Sequence, residues 1–178
     1  QGKKVALFKP KLDTRFGAEK IRSRAGIEKE ADFLLVDETV LNSDDFKNYD
    51  CLLVDEVQFL SPALIEQLRV ISIKQNVPVI CYGLRTDFRS ELFPGAKRLL
   101  ELADSIEEVK TTCNFCSKKA IFNMKFVAGK PTLNGPSVDL GAEEKYLATC
   151  NKCYYEQLDL LTYNSPYIRR PVTPDPPA

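Results

Sequence analysis

Six cysteines and one pair of adjacent carboxylates are the residues of this chain best suited to chemistry. Cys113-Asn114-Phe115-Cys116 and Cys150-Asn151-Lys152-Cys153 form two CxxC turns, with 33 residues between Cys116 and Cys150. Two such turns can deliver four thiolates to one tetrahedral ion, the arrangement of a structural Zn2+ site. The same residues also suit local or crossed disulfides, or a thioredoxin-like redox pair. Neither turn follows a strand at the head of a long helix, which weighs against redox chemistry. An ion with four protein ligands keeps no open position, so its expected role is structural. Cys51 and Cys81 lie inside apolar runs and read as core residues.

The carboxylates are Asp55 and Glu56, directly after Cys51-Leu52-Leu53-Val54. An apolar strand that ends in acids has the Walker B form, in which the strand's carboxyl end brings Asp55 to a Mg2+ ion on nucleotide phosphates. Glu56 beside it can polarise an attacking hydroxyl or water. A strand that merely ends in solvated acids looks the same. Gln58 and Phe59 follow at once and supply an amide and a ring, groups that hydrogen-bond and stack a flat base. Core packing is the plainer reading of Phe59, and of Phe88 further on.

The elements that position these residues read as alternating strands and helices. Val5–Phe8, Phe33–Val36, Cys51–Val54 and Val77–Tyr82 are continuous apolar runs, the pattern of parallel strands covered on both faces. Ile106–Val109 is a weaker fifth candidate. Ser61-Pro62 opens a helix as cap and first residue, with Leu64, Ile65, Leu68 and Ile71 at helical spacing. Pro94-Gly95 opens another, with Leu99, Leu100 and Leu102 on its inner side. The expectation is an open α/β sheet over residues 1–110, then a small cysteine-bearing domain over 111–163. Within the latter, a loop from Gly129 to Gly141 runs between two short strands, and a helix runs from Tyr154 to about Leu161. Residues 164–178 hold five prolines and read as an extended tail.

Composition narrows the function. Lys and Arg number 25 and so do Asp and Glu, so no net charge favours a polyanion. The second cysteine turn runs into Tyr154, Tyr155 and Glu156, with no basic face to read nucleic acid. The chain contains no histidine, which excludes a Ser-His-Asp triad and any His ligand. No apolar run reaches membrane-spanning length and no signal peptide opens the chain, so a cytoplasmic protein is expected.

Several segments together resemble the type II thymidine kinases, in particular their bacterial branch. Lys9-Pro10-Lys11-Leu12-Asp13-Thr14-Arg15 is similar to that family's KPxxDxR segment. Ser23-Arg24-Ala25-Gly26 is similar to its SRxG element, and Asp55-Glu56-Val57-Gln58-Phe59 to its DExQF segment. Gly83-Leu84-Arg85-Thr86-Asp87-Phe88, with Phe93 after it, resembles GLxTDF. Leu140-Gly141-Ala142-Glu143-Glu144-Lys145-Tyr146 resembles IGGxxxY, with Ala142 in place of the second glycine. The resemblance runs from about residue 3 to 158.

It implies a parallel P-loop NTPase (RecA-like) sheet flanked by helices, and a zinc domain bearing a lasso-like lid. The implied activity is transfer of the ATP γ-phosphate to the 5′-hydroxyl of thymidine, and of deoxyuridine, in nucleotide salvage. Glu56 would be the general base, Asp55 would organise Mg2+, and Asp13 and Arg15 would lie near the transferring phosphate. Gln58, Phe59, Leu84, Phe88, Phe93, Lys125, Leu140, Gly141 and Tyr146 would surround the nucleoside. Cys113, Cys116, Cys150 and Cys153 would hold zinc. A homotetramer inhibited by thymidine triphosphate, with no nucleic-acid or membrane partner, completes the implied picture.

One departure stands out. The family's phosphate loop, GxxxxGK[ST], does not occur in these 178 residues, and Gly2-Lys3-Lys4 does not fit it. The expectation is that this loop lies upstream of Gln1 and that the polypeptide as printed does not transfer phosphate. The alternative is a non-catalytic, zinc-containing nucleoside- or nucleotide-binding module.

Overall fold

The computed structural model describes residues 2–13, 19–22, 26–136 and 145–161. Arg15, Leu140 and Gly141 lie outside them, as do Ser23-Arg24-Ala25 and the proline-rich tail. Contacts divide the chain into two units: Gln1–Asp87 with Glu91–Glu108, and Phe88–Ser90 with Val109–Ala178.

The first unit is built on a four-stranded parallel sheet. Its strands are β1 (Val5–Pro10), β4 (Phe33–Leu35), β5 (Cys51–Val54) and β6 (Val79–Cys81), in the order β4-β1-β5-β6. Between β1 and β4 the chain makes an antiparallel hairpin, β2 (Lys20–Arg22) and β3 (Glu28–Glu30). Five of its six residues are charged, so no apolar period announces it. Among the described residues the only α-helical crossover within the sheet is α1 (Pro62–Gln75), between β5 and β6; α2 (Pro94–Leu102) follows β6.

Helix α1 starts where local chemistry dictates. Ser61 Oγ accepts a hydrogen bond from the Leu64 N–H, and Pro62 occupies the first turn, where its missing N–H costs nothing. Leu64, Ile65, Leu68 and Ile71 are buried against Ala6, Phe8, Leu52 and Val54 of the sheet. Phe8 stacks on Phe33 with ring centroids 4.8 Å apart.

Burial over Val5–Phe8 of β1 and along β5 alternates rather than running continuous. Ala6, Phe8, Leu52 and Val54 are fully buried, while Val5, Leu7, Cys51 and Leu53 are only half-buried. Among the described residues the helices share one core cluster, on one face of the sheet. Cys51 and Cys81 are accordingly intermediate in exposure; Cys81 packs against this core, and Cys51 does not join it. Ile106 and Val109 are exposed and form no strand, because two apolar residues among acids bury too little surface to pair. Leu100 is exposed as well. Leu99 and Leu102 pack against the core as expected, and helix α2 also turns Gly95 and Ala96 inward, because its first turn lies directly on the backbone after β5. A Cβ at Gly95 would come within 2.3 Å of the Leu60 carbonyl oxygen.

The second unit holds a three-stranded antiparallel sheet of order β8-β7-β9: β7 (Phe122–Val127), β8 (Lys130–Thr132) and β9 (Lys145–Thr149). Helix α3 (Asn151–Gln157) follows. It starts three residues before the expected Tyr154, because the Cys150 thiol caps it by accepting from the Cys153 N–H. Met124, Tyr154 and Leu160 form this unit's core, and the Phe122 ring lies 4.6 Å from that of Tyr154. No helix among the described residues is long and apolar enough to cross a membrane.

Candidate functional site

The first unit gathers its acids at one edge of the sheet. Asp55 leaves the end of β5, where its N–H donates to the Phe8 carbonyl of β1. Parallel strands leave their carboxyl ends on one side, the side at which such sheets take ligands. Asp13 lies on the turn after β1, only 3% exposed, and pairs with the equally buried Lys9 at 3.5 Å. Lys9 Nζ also donates to the Lys20 carbonyl at 2.7 Å.

Burial pushes the Asp55 carboxyl above its ordinary value. The Glu56 and Asp13 charges push it further, while the Glu56 N–H and Lys9 pull it back. A carboxyl raised in the folded state binds its proton more tightly folded than unfolded. Folding stability is therefore lost as pH rises from the unfolded value through the folded one. At neutral pH the ionised Asp55 opposes folding. Asp55→Asn is thus expected to raise the melting temperature at pH 7 without metal or nucleotide, with the gain shrinking toward pH 4. A variant less stable than the parent at pH 7 would contradict this.

Glu56 adopts a left-handed backbone, with φ 49°. A non-glycine residue there costs about 1–2 kcal/mol, and such residues concentrate at functional sites. Its Oε2 accepts from Gln58 Nε2 at 2.6 Å. Gln58 is 2% exposed and its Oε1 accepts from the Leu84 N–H at 3.0 Å. Phe59 meets Phe93 edge to face at 5.9 Å. Phe93 is buried, Phe59 half-buried, and the Leu84 side chain exposed. The first unit therefore brings together Asp13, Asp55, Glu56, Gln58, Phe59, Leu84 and Phe93.

The second unit gathers the others. Cross-strand register sets Lys125 of β7 opposite Tyr146 of β9. Lys125 Nζ lies 5.0 Å from the Phe88 ring centroid, and the Tyr146 and Phe88 rings are 6.4 Å apart. Arg89 stands 4.7 Å from the same ring and donates to the Gly135 carbonyl at 2.8 Å. Phe88 is held through its backbone, whose carbonyl accepts from the Tyr154 hydroxyl at 2.6 Å.

The four cysteine sulfurs all lie within 4.8 Å of one another, including 3.6 Å for Cys116 to Cys150 and 3.7 Å for Cys116 to Cys153. None of the six cysteines is bonded to another. A tetrahedron of sulfurs about 2.3 Å from a central ion has edges of about 3.8 Å, so the cluster fits a metal ion. Its protons are shared unevenly. Burial raises Cys113, but the N–H groups of Cys150, Phe115 and Cys116 outweigh it and hold that thiol at about 6. Burial and hydrogen bonds to the other three thiols push Cys153 up to about 12. A cation among them would remove that competition.

Three contributors carried no assigned role in the sequence reading. Lys9 and Gly83 stand inside recognisable segments, but their types give no hint of burial or close approach. Tyr154 follows the second CxxC, and nothing local links it to Phe88, 66 residues away.

A family model described as "Thymidine kinase" matches residues 1–154. A relative from Chromobacterium violaceum named thymidine kinase is 41% identical over 154 residues, spanning 86% of this chain and 83% of that protein. Another of the same name, from Encephalitozoon cuniculi, is 42% identical over 159 residues, 88% of this chain and 75% of its own length. A third, from Lactococcus lactis, is 42% identical over 161 residues, 88% and 84% of the two chains.

Proposed function

Because the chain belongs to the thymidine kinase family, we propose that it transfers the ATP γ-phosphate to the 5′-hydroxyl of thymidine, with deoxyuridine as a second acceptor. One observation carries the reading of the chemistry: Asp55 and Glu56 leave the sheet at the carboxyl end of β5, and Glu56 is held there in a left-handed turn. Phosphoryl transfer relies on positioning and on stabilising charge rather than on covalent chemistry. Glu56 takes the proton of the 5′-hydroxyl. Asp55 holds Mg2+ with ATP, and the ion supplies charge neutralisation at the phosphates. Asp13 is assigned to the phosphate side, and by the family resemblance so is Arg15. We read the parallel sheet as that of a P-loop NTPase.

The nucleoside side is assigned to Phe59, Leu84, Phe88, Phe93, Lys125 and Tyr146, with Leu140 and Gly141. Flat apolar walls suit a pyrimidine, and backbone amides suit its hydrogen-bonding edge. By the family resemblance, the segment between β8 and β9 is assigned as a lid that would keep water from the phosphate. Zinc is the ion assigned to the cysteines, since a closed four-thiolate tetrahedron is a structural zinc arrangement. The homotetramer, inhibition by thymidine triphosphate and the cytoplasmic location rest on the family resemblance alone.

The test is phosphorylation by the full-length protein with labelled ATP, offered thymidine, deoxyuridine, deoxycytidine and uridine. Thymidine and deoxyuridine are expected to be labelled and the other two not. Thymidine at 100 times its Kd is expected to stabilise the fold by about 2.7 kcal/mol. Stabilisation without labelling would favour the binding module over the kinase, and neither would remove the nucleoside from the account.

A further inference from the structure

Gln58 is buried with both ends of its amide engaged inside the protein. The Leu84 N–H can be met only by an oxygen, so Oε1 must face it and Nε2 must face Glu56. The amide orientation is therefore dictated by the backbone of a segment 26 residues away. Gly83 makes the approach possible: a Cβ there would lie 2.4 Å from Gln58 Oε1 and 2.8 Å from Val57 Cγ1. The carboxylate so held belongs to a residue in a left-handed conformation, whose side-chain direction the turn alone would not secure.

We propose that Gln58 is a positioning residue, which holds the Glu56 carboxylate through Nε2 and ties it to the Gly83–Leu84 segment through Oε1. The inference rests on Glu56 being the general base. It assigns Gln58 no contact with substrate. It also makes Gly83 part of the device, since any side chain there would displace the amide from Glu56. Leu84 is thereby connected to the base: displacement of this segment by a bound nucleoside is felt at Glu56 through one side chain.

The test uses Gln58→Met, close in volume but without the donor, in the full-length protein. The expected result is a fall of about 10–100-fold in kcat with thymidine KM within about three-fold, the pattern of an interaction that matters in the transition state. In a Glu56→Gln background, adding Gln58→Met is expected to change the residual kcat less than about two-fold, because a group that acts through Glu56 has nothing left to act on. Gln58→Glu keeps the acceptor for Leu84 but sets a second carboxyl against Glu56, and is expected to lose kcat to a similar degree. A ten-fold rise in KM with kcat retained would overturn the proposal in favour of substrate contact. Effects that multiply in the double variant would overturn it in favour of an independent role. If Glu56→Gln alone leaves kcat intact, the reading of Glu56 fails instead.

Discussion

Replacing Glu56 with Gln is expected to lower kcat for thymidine phosphorylation by about 10²–10⁴-fold, the usual contribution of a positioned general base. Glutamine keeps the length and the hydrogen-bonding oxygen of the side chain but cannot take a proton at neutral pH. The Gln58 partnership and the turn at Asp55 therefore persist. Thymidine KM is expected to change by less than about three-fold, because the lost interaction develops only as the hydroxyl is deprotonated. Steady-state kinetics with isothermal titration of thymidine separates the two quantities. A variant with full kcat would remove Glu56 from the reaction, whatever the family.

Cys150→Ser is expected to abolish stoichiometric metal binding and to raise thymidine KM by about ten-fold or more. This substitution isolates the metal. Cys150 caps α3 through its sulfur, and serine is itself a good cap, so the helix start survives while one thiolate is lost. A closed metal site contributes on the order of 10 kcal/mol of apparent binding energy to a small domain. Here that energy would hold the Cys113–Cys116 turn to the start of α3. The strands leave directly from this knot, with the Asn114 N–H on the Ala148 carbonyl and the Ile121 N–H on the Thr149 carbonyl. Lys125 and Tyr146 sit further along the same two strands. Loosening the knot disturbs their register, and with it the setting of Phe88 through Tyr154. The parallel sheet has its own core and is expected to keep its far-ultraviolet circular dichroism. Metal content by plasma mass spectrometry and nucleoside affinity by titration check the prediction. Full thymidine affinity after loss of the metal would break the link between cysteines and substrate.

Much of the arrangement was legible where a few adjacent residues suffice. The two CxxC turns offer a ligand set because two such turns can bring four sulfurs to one ion. Four apolar residues and two acids place Asp55 and Glu56 at a strand end, and β5 runs over the residues expected of it. Ser61-Pro62 marks the start of α1 through a hydrogen bond made three residues away. Where the reading of elements failed, the deciding partner was remote or unconventional. A thiol served as the cap of α3. Two exposed apolar residues, Ile106 and Val109, found no strand to join. The β2–β3 hairpin carries no apolar period.

The sequence by itself thus determined which groups are present and roughly where each leaves its element: four thiols in two turns, and Asp55 with Glu56 at a strand's end. Only the tertiary structure decided what those groups are bound to. Gln58 reads along the chain as an amide available to a base; folded, it lies between Glu56 and Leu84. Lys9 gives no hint of burial by its type, yet it is buried beside Asp13. Tyr154 is aimed at the Phe88 carbonyl. The physical reason is range. Caps and ligand turns are made by contiguous residues whose geometry the local backbone dictates. The bonds from Leu84 to Gln58 and from Tyr154 to Phe88 span 26 and 66 residues, and packing decides which buried polar groups must meet.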